Sequence, residues 1–458
     1  MESSSGAEVA ANKPHGRAFV RQFLSHYGMV FVLALLCAFF AWATYHADSP
    51  AGREGALSLA ADVRTLQPTP RRILIVASPD EDGRDFAAVL ETALSQSGLS
   101  ADATIGDPPT VRQSIEKAAA SGSIPDLIVT TQTCRDWAVW DGLRGSVPAL
   151  ARLRVLAPTA KYRSAFLSGS NLRNVADQIA VIAIVAAGMT MVIILGGIDL
   201  SVGSLIALSA VAAAWLIRRW GGESSSVAAM TLASLLAILL CGAVGLFSGA
   251  MVTSFQIPPF IATLAMMQVA GGLAFIVAQG QSIYDIPVSF TWLGRGEYGS
   301  IPNAVIVMLL VYVIAHIVMT RTQFGRTIYA VGGNPEAARL SGVPVARVRT
   351  LVYLLSGLSA GLGGIITASQ LKAGAPTYGA SYELYVIAAV VVGGTSLAGG
   401  EGHIFGTLIG ALIIGVIRNG MNLMNVEPYT QKVMLGLVIL GAVLLDMLKR
   451  RQWRFGKR

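Results

Sequence analysis

Charged residues are scarce in this chain of 458 residues. Asp, Glu, Lys and Arg together account for 13% of it, whereas hydrophobic residues account for 53%. An ordinary soluble domain carries about 25% charged residues. The deficit excludes that class and predicts a chain that lies mostly within a membrane, where the 49 glycines would allow helices to pack closely.

Cysteine is also rare, since only Cys37, Cys134 and Cys241 occur. Two of them lie inside apolar runs, and Cys134 has no obvious partner, so neither a disulfide framework nor a zinc site is predicted. The chain lacks the GxxxxGK[ST] sequence that cradles nucleotide phosphates, and it lacks HExxH and GxSxG. We therefore expect no catalytic residue, no metal and no cofactor bound by this chain itself.

Long apolar runs dominate what the sequence does contain. A helix needs about 20 residues to cross the hydrocarbon core, and ten runs approach that length, although 383–395 is short. We therefore predict an all-α polytopic membrane protein with about ten transmembrane helices. The predicted spans are 28–45, 178–196, 200–217, 227–250, 258–279, 302–320, 351–369, 383–395, 404–420 and 432–448.

Basic residues concentrate in three places: the leader 1–27, the segment 321–350 and the tail 449–458. Lys and Arg are enriched on the cytoplasmic side of membrane proteins. Ten spans with both termini in the cytoplasm place all three clusters on that side. Their position beside apolar runs favours contact with membrane lipid over nucleic acid. The run at 28–45 follows a basic leader, as in a signal peptide, but it is long for one, so we favour a retained span.

Residues 46–165 are richer in charge and separate the first two spans. Strand patterns alternate with amphipathic helix patterns, which predicts a parallel sheet covered by helices. The predicted strands are 71–78, 101–105 and 125–131, and the predicted helices are 85–98 and 109–122. The span count makes this small α/β insert extracytoplasmic. Its acidic loop at 77–83 follows a strand, where ligands bind in open sheets, although such loops are more often simply solvated.

Two glycine-rich segments resemble each other: GGIDLSVG at 196–203 and GGTSLAGG at 393–400. Both lie between apolar spans and share Gly, Gly, Leu and Gly at corresponding positions. Transporters often contain structural repeats whose broken helices meet near the middle of the membrane. A repeat and a chance similarity in a glycine-rich chain are both consistent with these segments.

A polar stretch, GGNPEAARLSG at 332–342, separates two of the apolar runs. Asn334 and Pro335 predict the start of a helix, and Gly342 predicts its end after about two turns. A helix this short is not stable alone in water, so other groups must hold it. It either seals the helix bundle as an interfacial cap or docks into a cytoplasmic partner. Glu336 and Arg339 either contact that partner or pair with each other.

The segment RTQFGRTIYAVGGNPEAARLSGVPVARVR at 321–349 resembles the cytoplasmic coupling segment of ribose/xylose-type permeases of bacterial ABC sugar importers. GMTMVIILGGIDLSVGSLIALS at 188–209 resembles that family's most recognisable motif. The similarity covers 166–448 almost without a break and also includes IPPFIATLAMM at 257–267, GQSI at 280–283, YEL followed by IAAVVVGGTSLAGGEG at 382–402, and FGTLIGALIIGVIRNGMNL at 405–423.

The resemblance implies a permease core at 166–448 that translocates a monosaccharide such as ribose, xylose, galactose or a polyol across the bacterial inner membrane. The implied partners are a cytoplasmic ATPase that uses ATP and Mg, an extracytoplasmic sugar-binding protein, and a second permease subunit, identical or different. The implied coupling helix, in the cytoplasmic loop 321–350, consists of Asn334, Pro335, Glu336, Ala337, Ala338, Arg339 and Gly342.

Alternatives to a sugar permease are a permease for branched-chain amino acids or nucleosides, a membrane sensor that uses the insert, and a secondary transporter. The chain departs from the family pattern at Tyr385, where an acidic residue is often found. It departs further at the insert, where relatives have a short link. The insert is like half of a sugar-binding protein lobe, and we expect it to dock or replace part of that protein.

The substrate path is predicted from polar residues and helix breaks beside apolar runs. A charged carboxylate at the edge of a membrane span, such as that of Asp199, carries a large free-energy cost. Asp199 either caps a helix starting at Leu200, the interpretation we favour, or hydrogen-bonds sugar hydroxyls together with Ser201. The two prolines before Thr263 either line a path or begin a helix, and Glu383 is equally consistent with a solvated helix start. The path candidates are Asp199, Ser201, Pro258, Pro259, Thr263, Tyr382, Glu383, Thr395 and Ser396.

Overall fold

A computed structural model of the protein describes residues 15–48, 50, 52–68, 70–146, 154–159 and 161–455. The chain divides into two compact units, the insert unit Thr44–Ala165 and a membrane unit built from the sequence on both sides of it. Helix α1 (His15–Ala43) begins inside the predicted leader and ends two residues before the predicted end of the first span, 28–45, because Thr44 and Tyr45 already belong to the insert unit. The rest of that leader, residues 1–14, and the end of the predicted tail, 456–458, lie outside the described residues.

The insert unit is an α/β fold around a four-stranded parallel sheet. Its strands are β1 (Tyr45–Asp48), β2 (Ile73–Ala77), β3 (Ala101–Ile105), β4 (Leu127–Thr130), β5 (Arg154–Leu156) and β6 (Lys161–Ser164). Its helices are α2 (Gly52–Arg64), α3 (Glu81–Ser95), α4 (Pro108–Ala120), α5 (Gln132–Arg135) and α6 (Val139–Ser146). The sheet order is β3-β2-β4-β5, and β1 pairs antiparallel with β6.

Each predicted strand and helix between residues 71 and 131 is present, with small shifts at the ends. Local signals explain this agreement. Asp80 accepts a hydrogen bond from the Gly83 N–H at 2.7 Å and so caps α3, and Asp107 caps α4 just before Pro108. Apolar side chains pack on both faces of the sheet, with Phe86 in one cluster and Ile115 in the other.

The membrane unit continues with helices from Gly169 to Phe455. They are α7 (Gly169–Ile194), α8 (Val202–Arg219), α9 (Val227–Ser254), α10 (Pro259–Val277), α11 (Trp292–Arg295), α12 (Asn303–Arg321), α13 (Gln323–Gly333), α14 (Pro335–Leu340), α15 (Val345–Leu371), α16 (Tyr382–Val392), α17 (Ile404–Leu423) and α18 (Pro428–Phe455). A two-stranded ribbon, β7 (Glu297–Tyr298) and β8 (Ile301–Pro302), precedes α12.

Among the described residues, seven helices are long and apolar enough to cross a membrane: α7, α8, α9, α10, α12, α15 and α17. Three shorter apolar segments, Gly28–Ala43, Tyr382–Val392 and Pro428–Leu444, coincide with the other predicted spans. The prediction of a helical polytopic membrane protein is confirmed. A total of ten crossings stays a prediction, because α16, at 11 residues, falls below the usual spanning length.

Burial separates central helices from peripheral ones. The most apolar window of α7 is 89% buried, whereas those of α9 and α10 are 28% and 22% buried. The peripheral helices expose large apolar side chains such as Leu239 and Ile276. Water would penalise such a surface, so these helices face lipid or another apolar surface.

Helices α9 and α15 approach each other through glycines. A Cβ atom at Gly245 would lie 2.2 Å from the carbonyl oxygen of Tyr353, and one at Gly357 would lie 2.3 Å from that of Cys241. Real Cβ atoms do not come this close to backbone atoms, so any side chain here would push the helices apart. Close glycine contacts of this kind are a common means of helix association in membranes.

Gly357→Ala is expected to destabilise the membrane unit by about 2 kcal/mol, the usual scale of overpacking. Gly272→Ala on α10 is the matched control, because no atom lies within 4 Å of the position its Cβ would take. Thermal unfolding of the detergent-solubilised chain measures both variants. We expect a lower melting temperature for Gly357→Ala alone, and equal values would contradict the packing described.

Candidate functional site

The chain leaves helical conformation between α7 and α8, where GGIDLS forms an irregular segment in which Gly197, Asp199 and Ser201 are buried. Gly196 has a φ of 76°, a left-handed conformation that glycine adopts without steric cost. Irregular backbone at membrane depth is tolerated only where protein or a cavity shields it from lipid. We call residues 195–201 the first glycine loop.

Asp199 fixes the first glycine loop to α15. Its Oδ1 accepts hydrogen bonds from the Ser201 backbone N–H at 3.0 Å and the Ser201 hydroxyl at 2.6 Å, and its Oδ2 accepts one from the Ser356 hydroxyl at 2.7 Å. The prediction that Asp199 caps a helix starting at Leu200 is wrong, because α8 starts at Val202 with Ser201 as its N-cap. Both Asp199 and Ser201 are fully buried.

Glu383 is the carboxylate that lies at the start of α8. A Cβ atom at Gly203 would be 2.3 Å from Glu383 Oε2, which places this half-buried side chain against the first turn of α8. The helix dipole favours a negative charge there. Glu383 itself lies in the first turn of α16, the helix start that the sequence predicted, next to the partly buried Tyr382.

Pro258 and Pro259 begin α10, so the helix-entry interpretation of this pair is confirmed. The Thr263 hydroxyl, one turn later, lies 3.1 Å from the Ile198 carbonyl oxygen and 3.0 Å from that of Pro259. This hydroxyl therefore connects α10 to the first glycine loop. The two prolines also line a cavity, so beginning a helix and lining a path are compatible roles for them.

That cavity, which we call the coupling cavity, has a volume of about 450 Å³. It lies between the first glycine loop, the start of α10, the short helix α14 and the start of α15. The Tyr353 hydroxyl at its wall is buried and makes no hydrogen bond within the described part of the chain. The lining residues that matter here are Gly196, Gly197, Pro258, Pro259, Glu336, Arg339, Arg349 and Tyr353.

Helix α14 has the bounds that its local signals predicted. Asn334 Oδ1 accepts a hydrogen bond from the Ala337 N–H at 3.0 Å, Pro335 occupies the first turn, and Gly342 follows the helix with a φ of 83°. These are the standard devices for starting and ending a short helix. Ala338 is buried, whereas Ala337 is exposed.

The exposed side of α14 carries two charges and one large apolar side chain. Glu336 Oε1 lies 3.8 Å from a guanidinium nitrogen of Arg339, and the two side chains are 72% and 66% exposed, respectively. An exposed pair of this kind contributes little to stability, so both groups are available to a partner. Leu340 is 89% exposed. Leu340 was not among the predicted coupling residues, although an apolar residue in a polar stretch is a recognisable signal of contact with a partner protein.

The helix before α14 contacts two glycine-rich segments through backbone atoms. The Gly400 N–H donates to the Ile194 carbonyl oxygen at 2.8 Å. A Cβ atom at Gly332 would lie 1.8 Å from that same oxygen and 2.8 Å from Gly400 N, and one at Gly399 would lie 2.9 Å from the Gly332 oxygen. We call these four residues the glycine junction. It joins α13 to the end of α7 and to the segment after α16.

The segment 393–402, which we call the second glycine loop, is held mainly by its own backbone. The Ser396 N–H donates to the Glu401 carbonyl oxygen at 3.0 Å, and the Tyr329 hydroxyl of α13 donates to that of Gly402 at 2.8 Å. Thr395 and Ser396 are both buried. The Thr395 hydroxyl has no hydrogen-bond partner among the described residues. The two similar glycine segments thus meet in space, while an internal repeat stays a hypothesis.

The chain is similar to known transport permeases over most of its membrane unit. The family profile described as branched-chain amino acid transport system / permease component matches residues 171–443. A ribose import permease of Bacillus subtilis is 45% identical over 286 residues, which cover 62% of this chain and 87% of the relative. No solved structure matches the chain.

Two further relatives are named for other sugars. An L-arabinose ABC transporter permease of Azospirillum brasilense is 35% identical over 330 residues, covering 72% of this chain and 95% of the relative. A D-allose transport system permease of Escherichia coli is 37% identical over 283 residues, covering 62% and 85%. The resemblance inferred from the motifs is confirmed: the chain belongs to this permease family and is a multi-pass inner-membrane transport component of an ABC importer, not an enzyme.

Proposed function

We propose that this chain carries a neutral monosaccharide of the ribose, arabinose or allose class across the inner membrane. The observation that carries the proposal is the 45% identity to a ribose import permease over 87% of that relative. Two more relatives are named for L-arabinose and D-allose. Branched-chain amino acids appear in the family description, and nucleosides or a sensing role have no corresponding support.

The chain works with a separate ATPase that uses ATP and Mg, with an extracytoplasmic sugar-binding protein, and with a second permease subunit. An ATPase and a binding protein are general to importers of this family. The second subunit is implied by the resemblance, and the exposed apolar surfaces of α9 and α10 are available to it or to lipid. Both chain termini lie in the cytoplasm, and the insert unit is extracytoplasmic, as the distribution of basic residues favours.

Helix α14 docks into the ATPase. Its exposed Leu340, Glu336 and Arg339 supply an apolar contact flanked by two opposite charges. Of the predicted coupling residues, Asn334, Pro335 and Gly342 set the bounds of the helix, and the buried Ala338 attaches it to the membrane unit. Closure of the ATPase therefore moves a helix that is fixed to its own protein on one side only.

The glycine junction passes this movement to the substrate path. Backbone atoms of α13 touch the end of α7, just before the first glycine loop, and the second glycine loop without intervening side chains. Because these backbone atoms are in direct contact, a shift of α13 displaces the two glycine loops. Asp199, Thr263 and Glu383 then position the loops and the start of α8, and Pro258 and Pro259 line the cytoplasmic half of the path. Ser201, Tyr382, Thr395 and Ser396 belong to the same region.

Uptake by cells that express the chain with its partners tests the proposed substrate. Labelled D-ribose, L-arabinose, D-allose, L-leucine and adenosine are compared before and after deletion of the gene. We expect the uptake of one or more of the sugars to be lost, with L-leucine and adenosine unchanged. Loss of L-leucine or adenosine uptake without loss of any sugar would contradict the proposal.

The insert unit docks the sugar-binding protein or replaces part of it. Its parallel sheet resembles part of a receptor lobe, and the acidic loop at 77–83 lies at the carboxyl end of β2. A chain that lacks residues 48–162 is expected to lose receptor binding and sugar uptake while remaining in the membrane. Unchanged uptake and unchanged receptor binding would refute this role for the insert.

A further inference from the structure

A second cavity, of about 340 Å³, lies at the opposite end of α15 from the coupling cavity. The coupling cavity is lined by the first glycine loop, which follows α7, and by the start of α15. The second is lined from the start of α7, by Arg173 and Asp177, and from the end of α15, by Gln370. We call it the distal cavity. The two cavities therefore share helix α15, and α7 connects the distal cavity to the first glycine loop.

The wall of the distal cavity is strongly polar. Arg173 and Glu297 form an ion pair at 3.7 Å, and the Gln370 side-chain amide donates to Asp177 Oδ2 at 3.1 Å. The other carboxylate oxygen, Asp177 Oδ1, is buried and has no hydrogen-bond partner in the described ranges. Arg295, which donates to the Gln370 carbonyl oxygen, completes the wall. A buried acceptor without a partner in a polar cavity calls for a ligand group or water to satisfy it.

The chemistry of this wall selects a class of ligand. The positive charges of Arg173 and Arg295 equal in number the negative charges of Asp177 and Glu297, so the cavity favours neither an anion nor a cation. Carboxylates accept hydrogen bonds, guanidinium groups donate them, and an amide does both. A net-neutral ligand matches this wall, either a molecule rich in hydroxyl groups or a zwitterion such as an amino acid, and the proposed function favours the former. Ionisable residues within a membrane unit are costly and commonly mark a substrate pathway.

We propose that the distal cavity binds a neutral polyhydroxylated molecule, a monosaccharide, with Asp177 and Gln370 as its principal hydrogen-bonding groups. The proposal rests on the proposed function and adds a site for the sugar. A sugar held here contacts α7, which leads into the first glycine loop, and α15, which also borders the coupling cavity. Binding of sugar at one end of α15 is thereby linked to the coupling cavity at its other end.

Protection from chemical labelling tests the site directly. Asn174, an exposed residue of the cavity wall, is changed to cysteine in the full chain after Cys37, Cys134 and Cys241 are replaced by alanine. A membrane-impermeant maleimide then labels it with and without D-ribose, L-arabinose or D-allose. The sugar that the uptake assay identifies should slow labelling about threefold at twice its Kd, by mass action. L-Leucine should not.

Two controls distinguish sugar recognition by Asp177 from a loss of charge or a change in folding elsewhere in the membrane unit. Asp177→Asn removes one negative charge with little change in shape, and it should abolish the protection by sugar. Glu223→Gln makes the same chemical change outside the cavity, in the ion pair with Lys372 at the same end of α15, and it should keep the protection. A cysteine at the exposed Ser224 should be labelled at the same rate with or without sugar.

Each outcome decides between the proposals. Absence of protection in a chain that supports sugar uptake overturns the distal site and leaves the proposed function intact. Protection by the sugar-binding protein but not by sugar means that the cavity is a docking surface, which also overturns it. Loss of protection in both carboxylate variants assigns the effect to altered folding and contradicts recognition by Asp177. Failure of the wild-type chain to support uptake of any sugar overturns the proposed function itself.

Discussion

Gly332→Ala is expected to reduce sugar uptake by about fivefold to a hundredfold, because overpacking costs about 1–3 kcal/mol and ~1.4 kcal/mol is a factor of ten in an equilibrium. The added methyl group would lie 1.8 Å from the Ile194 carbonyl oxygen. The end of α13 must therefore move away from the end of α7, and movement of α14 no longer reaches the glycine loops. Proteoliposomes that contain the chain, its ATPase and its receptor measure uptake and ATP hydrolysis together.

Gly333→Ala supplies a control within the same helix. No atom lies within 4 Å of the position that its Cβ would take, and neither glycine has a positive φ. Both variants change the helix propensity of α13 alike, so only contact at the glycine junction distinguishes them. We expect near-normal uptake for Gly333→Ala. Equal uptake by the two variants, whether normal or lost, contradicts transmission through the junction.

Leu340→Asp is expected to prevent stable association with the ATPase. Burial of a leucine side chain in an interface contributes about 1.5–3 kcal/mol, and a carboxylate in its place adds a desolvation penalty. The fold of the chain should not change, since this side chain is 89% exposed. Co-purification of the ATPase with the detergent-solubilised chain measures the loss.

The same substitution elsewhere provides the control. Leu57→Asp changes an exposed leucine of the insert unit and should leave the ATPase bound. The double variant Glu336→Ala, Arg339→Ala should also lose stimulated ATP hydrolysis. Normal association of Leu340→Asp together with normal coupling in the double variant would assign α14 to the alternative role, an interfacial cap of the bundle.

Local signals made the secondary structure of the coupling segment predictable. Asn334 and Pro335 at the start and Gly342 at the end act on the backbone within a few residues, so one sequence suffices to place α14. The strands and helices of the insert between residues 71 and 131 were predictable for the same reason. The pairing of β1 with β6 was not, because Tyr45 pairs with Ser164 across the whole insert.

Contacts between distant residues explain the failures at the site. Asp199 was expected to cap α8, but Ser356, its partner on α15, is 157 residues away in the sequence. The carboxylate bonds Ser201 through one oxygen and Ser356 through the other, and the sequence does not reveal the second bond. The importance of Gly332 was hidden for the same reason, since its neighbours are Ile194 and Gly400.

Crosslinking from α14 in native membrane vesicles tests the central claim, that this helix docks into an ATPase. Ala337 is the suitable position because it is exposed, whereas Ala338 is buried. A photoreactive amino acid at residue 337 should capture a nucleotide-hydrolysing protein, and the same group at Leu57 of the insert should not. Vesicles that import the sugar but yield no ATPase adduct from residue 337 would contradict the account.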